Sequence, residues 1–133
     1  MKSVFSNLWK RSVQPRKQRK YLYNASLHLK RKIVLSSPLS KELRKKHNKR
    51  TMVVRKDDTV KIMRGQFKGK SGKVTKVNSK DGKVYVEGIE LIKKDGTKTM
   101  YPLRASNLMI TSLFLDDKKR KKILERKQEK KNG

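Results

Sequence analysis

Apolar residues change their spacing along this chain, and the changes mark its elements. From Met52 to Leu115 the period is two: Val60 and Ile62 alternate with Thr59, Lys61 and Met63, and Val84 and Val86 with Lys83, Tyr85 and Glu87. Leu108 and Ile110 alternate with Met109 and Thr111, and Leu113 and Leu115 continue the series. Successive side chains of a strand point to opposite faces, so each run predicts a strand with one buried face. Asp81-Gly82 and Asp95-Gly96 part these runs. They predict tight turns, because glycine takes the positive φ that a hairpin turn needs. Several short strands joined in this way make a small barrel or sandwich.

Upstream, apolar residues stand four apart. Leu29 and Ile33 share one face of a segment that Asn24 or Ser26 can cap, which predicts a helix to about Leu35. A second helix is expected with Ser37 as its cap and Pro38 at its first position, where a missing N–H costs nothing; Leu39 and Leu43 then share a face. Neither segment has the apolar surface to fold alone, so each needs the central domain or a partner to lie on. Downstream, Asp116-Asp117 supply negative charge at a helix start, and Lys118 to Lys131 supply helix formers with little apolar face beyond Ile123 and Leu124. That segment reads as a solvated helix or as a binding helix. The chain thus divides into a basic N-terminal arm (1–25), a short helical segment (26–50), a strand-rich domain (51–115) and a basic C-terminal helix or tail (116–133).

Charge narrows the function. The 133 residues carry 39 Lys or Arg against 11 Asp or Glu, a formal net charge of +28. Residues 1–50 hold 16 basic side chains against the single acid Glu42, so more than half of the excess lies in the first third. A free globule so charged repels itself, and a large anionic partner is expected, nucleic acid first and an anionic membrane second. A membrane surface usually needs a long apolar face or a lipid anchor, and no stretch approaches the roughly 18 apolar residues of a span. Without cysteine there is no disulfide and no thiolate metal site. The first 24 residues lack any acid, as mitochondrial transit peptides do; the run Gln14 to Lys20 favours an RNA-binding arm instead. Lys10 and Arg11 interrupt any secretory core. Val4, Phe5, Leu8 and Trp9, beside Lys2, Lys10 and Arg11, leave a weaker reading in which residues 1–13 meet anionic lipid or a neighbouring protein.

Catalysis is not expected. His28 and His47 both lie in the basic first third, and the acids form only Asp57-Asp58, Asp116-Asp117 and scattered singles. Adjacent carboxylates generally point to different sides, which gives neither an acid–base couple nor a magnesium site. These pairs read as turn and cap residues. No metal and no cofactor are expected.

The candidate RNA ligands are Arg16, Lys17, Arg19 and Lys20, whose acid-free run has no internal partner, then Lys30, Arg31 and Lys32, and Arg44 and Lys45. Tyr21, Tyr23 and His28 lie among them and either stack on unpaired bases or pack against the helices. A third group lies between Lys56 and Val77, where Gly65, Gly69 and Gly72 alternate with Arg64, Lys68, Lys70, Lys73 and Lys76. A loop with several glycines beside lysines can lay N–H groups against phosphate oxygens. By spacing alone it is equally a bent turn with solvated lysines.

This stretch resembles the KOW motif of ribosomal proteins and transcription elongation factors: the acidic turn, the strand Val60–Met63, the series Gly65, Lys68-Gly69, Gly72-Lys73-Val74 and the strand after it. The resemblance implies an SH3-like five-stranded barrel, in a mainly β chain, whose loop touches nucleic acid. The flanks resemble one family within this group. They are Gln14 to Ala25, Ser36 to Arg44, Glu87-Gly88-Ile89, Lys94 to Thr97, Ser106-Asn107 and Arg120 to Lys127. Residues 14 to 127 are similar to the KOW-domain protein family of the large ribosomal subunit with universal number twenty-four, number twenty-six in eukaryotes, in its archaeal–eukaryotic type. One departure is Arg104-Ala105, where that family usually has His-Pro. The resemblance implies binding to large-subunit ribosomal RNA near its 5′ domain, early in assembly, on the solvent side close to the mouth of the peptide exit tunnel. It further implies neighbouring ribosomal proteins and factors docking at the tunnel as partners, a cytoplasmic ribosome as location, no stable membrane insertion and no homo-oligomer. The alternative is a KOW module of a transcription elongation factor, which keeps the fold and changes the partner; such modules usually sit in longer chains.

Overall fold

A computed structural model describes residues 14–129; the readings made for residues 1–13 lie outside it. Helix α1 (Pro15–Asn24) occupies the segment read as an arm. Pro15 at its start fits, since its fixed φ suits the first turn and no N–H is lost there. The helix buries no residue of its own, and Ala25, buried at its end, joins it to α2 (Leu27–Val34). The second helix matches the expected segment after Ser26. The Ser26 hydroxyl bonds the His28 ring at 3.1 Å instead of capping the backbone.

The expected helix start at Ser37 is corrected by the structure. Residues Ser36–Pro38 are a strand, β1, paired antiparallel with β2 (Thr51–Val53). The Ser37 hydroxyl is buried and donates to the Leu108 carbonyl at 2.7 Å, so it has no part in capping. Leu39, fully buried, draws the chain inward, and the cap passes to Ser40, whose hydroxyl accepts from the Leu43 N–H at 3.4 Å. Helix α3 therefore runs from Lys41 to His47 and ends on Asn48 at φ +49°, a left-handed close that asparagine tolerates better than most side chains.

The period-two region forms the strands predicted around Val60–Ile62, Val84–Val86 and Leu108–Ile110, but the last one stops at Ser112, so Leu113 and Leu115 lie beyond it and not in a strand. β3 (Thr59–Ile62), β4 (Ser71–Asn78), β5 (Lys83–Val86), β8 (Leu103–Arg104) and β9 (Leu108–Ser112) make one antiparallel sheet in the order β8-β5-β4-β3-β9. Val60, Ile62, Val84, Val86, Leu108 and Ile110 are all fully buried. They share one core with Leu35 and Leu39 from before the sheet and Leu124 from after it. Its edge strands β8 and β9 are joined by a single 3-10 turn, Ala105–Asn107. A flat sheet of five strands would hold those edges about 19 Å apart, whereas the four steps from Arg104 to Leu108 span at most about 14 Å. The sheet therefore curls. Register shifts between Val74 and Lys76 in β4, and between Thr59 and Val60 in β3, supply the bends.

A second hairpin, β6 (Glu90–Ile92) and β7 (Lys98–Met100), stands out from this body, exposed along both strands. Helix α4 (Lys118–Glu129) closes the chain, with the Asp117 carboxylate accepting from the Lys119 N–H at 2.8 Å, as the cap reading expected.

Candidate nucleic-acid interface

The glycine-bearing loop between β3 and β4 is tied down by its own backbone. The Ile62 N–H donates to the Lys70 carbonyl and the Gly69 N–H to the Ile62 carbonyl, both at 2.8 Å. The Lys68 and Lys70 N–H groups donate to the Gly65 and Phe67 carbonyls at 3.1 Å. Gly65 at φ +95° and Gly69 at φ +89° provide the two left-handed bends this path requires. Three amides at Lys68, Gly69 and Lys70 are thus already engaged, and the loop offers an anion its side chains rather than those N–H groups. Arg64, Lys68 and Lys70 are exposed on it. The Lys70 ammonium lies 5.3 Å from the centre of the Phe67 ring, which meets Tyr101 edge-on at 5.0 Å.

Three residues grouped with this loop by sequence, Gly72, Lys73 and Lys76, sit on β4 instead. Gly72 belongs to β4, where a Cβ would come within 2.7 Å of the Glu87 carbonyl oxygen and 2.8 Å of a Val86 methyl. Its missing side chain serves close strand packing. Lys73 points to Asp57, with an Nζ–Oδ1 distance of 3.0 Å.

The helices carry the remaining candidates. Arg16, Arg19 and Lys20 are exposed on α1 and Lys17 is half-buried; on α2, Arg31 and Lys32 are exposed and Lys30 half-buried. Arg44 and Lys45 are exposed on α3, where the Arg44 Nε–H also donates to the Leu39 carbonyl at 2.8 Å. Tyr23 is 84% exposed, Tyr21 is half-buried and His28 is exposed beside Ser26. His47, on α3, is buried, and burial, then Lys46, hold its imidazole below the ordinary value of 6.5.

The structure adds a basic cleft that sequence reasoning missed. It has a volume of about 670 Å³ and lies between α2, the β2 strand and α4, with Arg31, Arg55 and Arg120 on its walls. Burial first, then the charges of Arg31 and Arg120, push the Arg55 guanidinium below its ordinary range. Two carboxylates answer these cations. Asp117 pairs with Arg55, and Asp58 takes both prongs of Arg120 at 2.6 and 2.7 Å. The cleft and the β3–β4 loop lie toward opposite ends of β3, with roughly 16 Å of extended chain between Asp58 and Met63. A signal did exist in the sequence: Arg120 is the one arginine in the run Lys118 to Lys122, and a guanidinium fork, unlike an ammonium, fits a carboxylate with two bonds.

Among the described residues no cluster of His, Asp or Glu could hold a metal ion, and no helix is long and apolar enough to cross a membrane. A family model that describes the eukaryotic ribosomal protein L26 and its archaeal counterpart, number twenty-four, matches residues 12–127. The match runs through both flanks as well as the loop, and the chain belongs to this family. It is a protein of the large ribosomal subunit.

Proposed function

We propose that this member of the family acts as a structural clamp on large-subunit ribosomal RNA, taken up early in assembly and seated near the mouth of the peptide exit tunnel. One observation carries the reading: with 39 cations and 11 carboxylates, at least 28 cations have no carboxylate of their own. Fourteen of the described cations stand on α1, α2, α3 and the 63–70 loop, where Glu42 is the one acid. Phosphates supply the missing counter-charge. Folded RNA of this kind is recognised by shape and backbone more than by base sequence. The same reading takes the curled sheet as an SH3-like barrel and the 63–70 loop as its RNA-touching KOW loop. Arg16, Lys17, Arg19 and Lys20 on α1 act as a basic arm, Tyr21, Tyr23 and His28 as stacking groups, and Lys30, Arg31, Lys32, Arg44 and Lys45 as phosphate ligands. Further partners are neighbouring ribosomal proteins and factors at the tunnel, in the cytoplasm. The role is structural rather than catalytic.

The test replaces Arg16, Lys17, Arg19 and Lys20 together by Ala and measures binding to large-subunit ribosomal RNA against salt. Each lost phosphate contact should flatten the log–log slope by roughly 0.7 to 0.9. Unchanged binding at low and high salt would remove the arm from the interface.

A further inference from the structure

The cleft between α2, β2 and α4 combines two chemistries that a plain phosphate site does not need. Arg31, Lys32 and Arg55 give it cationic walls, while Leu27, Met52 and Ile123 line it with apolar surface. Its two nearest carboxylates are already engaged, Asp117 by Arg55 and Asp58 by Arg120. Among the described residues neither Arg31 nor Lys32 has an ion-pair partner. Leu27, the first residue of α2, is left 59% exposed at this site. Leu27 and Arg31 are one helical turn apart, on the same face and about 6 Å from each other. An apolar contact and a cation at that separation suit a ligand with a flat apolar face and an anion one sugar away.

We propose that the cleft receives one unstacked nucleotide of the bound RNA, its base against Leu27, Met52 and Ile123 and its phosphodiester against Arg31 and Lys32. The inference rests on the RNA-binding reading above and gives it a second contact, separate from the 63–70 loop. About 670 Å³ lies within the range of pockets that enclose small organic ligands. An apolar surface has no hydrogen-bond code, so the site takes the nucleotide by its face and its phosphate, with little preference among bases.

The experiment places a photoreactive diazirine amino acid at position 27 of the full chain, and in separate samples at positions 19 and 68, each bound to large-subunit ribosomal RNA. Crosslinks from position 27 to one or two adjacent nucleotides that chemical probing reports as unpaired are expected. If position 27 reaches only protein, or nothing, while 19 or 68 crosslinks to RNA, the cleft proposal fails and the RNA-binding reading stands. If none of the three reaches RNA, both fail. Uridine monophosphate that binds the free chain at Leu27, undisplaced by RNA, would assign the cleft to a free nucleotide and overturn the RNA source. As a second readout, Leu27→Glu should weaken RNA binding roughly tenfold or more, since it sets a carboxylate where the base packs and one turn from Arg31, whose cation it would draw away from the phosphate. Leu27 is exposed, so circular dichroism should show Leu27→Glu folded; equal affinity of Leu27→Glu and the natural chain would also overturn the proposal.

Discussion

Asp58 and Arg120, sixty-two positions apart, meet as a two-pronged ion pair that is almost wholly shut off from water. The Asp58 carboxylate also accepts from the Arg55 and Phe114 N–H groups, both at 2.9 Å. Arg120 in turn donates to the Phe114 carbonyl at 2.8 Å and the Val53 carbonyl at 3.2 Å. One side chain from α4 is thereby bonded to β2, to the turn before β3 and to the segment after β9. The C-terminal helix is part of the fold, and Leu124 from the same helix joins the core.

Arg120→Ala strands the Asp58 carboxylate without a cation. The expected loss is about 3–5 kcal/mol, the range for breaking a buried pair by removing one partner. Arg120→Lys keeps the charge and loses the fork, so it should also destabilise. Lys121→Ala, at an exposed neighbour, should stay within about 0.5 kcal/mol. Urea unfolding of the three variants checks the order, and an Arg120→Ala chain as stable as Lys121→Ala would refute it.

Two glycines should respond to alanine for different reasons. At Gly72 a methyl meets a backbone oxygen and a valine methyl, both closer than 3 Å, so β4 or β5 must move. At Gly65 nothing lies within 4 Å, but φ is +95°, and a side chain in left-handed backbone costs roughly 1–2 kcal/mol. Gly72→Ala should therefore lower the unfolding midpoint more than Gly65→Ala does. The reverse order would mean that the strands relax easily around Gly72.

His47 makes stability depend on pH. Its folded value lies below 6.5 because of burial and then Lys46, so the unfolded chain takes up the proton first as the pH falls. Its contribution is complete above about pH 6.5 and is lost below it. The melting temperature should drop more between pH 7.5 and 5.5 in the natural chain than in His47→Gln. Equal drops would show that other groups set the acid limit.

The strands were legible because alternation is a local property: Val60, Ile62, Val84 and Val86 are inward wherever the pleat runs true. The Asp81-Gly82 and Asp95-Gly96 turns were legible for the same reason, with Gly82 at φ +65° and Gly96 at φ +86°. Ser37-Pro38 misled because the two residues make a sound helix start in isolation. Their strand conformation is set by a carbonyl at Leu108, seventy-one residues away, and by pairing with Met52 and Thr51. The 63–70 loop could be found from its glycines and lysines. Of the cleft the sequence held one hint, Arg120 alone among lysines; its assembly was not legible, since Leu27, Arg55 and Arg120 come from three separated segments and nothing in their spacing joins them.

Loop lysines that look alike in the sequence should differ in RNA binding. Lys68 and Lys70 stand exposed on the 63–70 loop, whereas Lys73 is held by Asp57 at 3.0 Å. A lysine already paired brings less new charge to a phosphate, because that contact must first displace the carboxylate. Lys68→Ala and Lys70→Ala should each weaken binding at low salt and reduce the salt slope by up to about 0.9. Lys73→Ala should change the slope less, and Asp57→Asn should strengthen binding by freeing the Lys73 ammonium. Affinities measured across a salt series for the four variants decide the matter. Lys73→Ala as damaging as Lys68→Ala would show that RNA takes Lys73 from Asp57 at little cost, and would extend the contact from the loop onto β4.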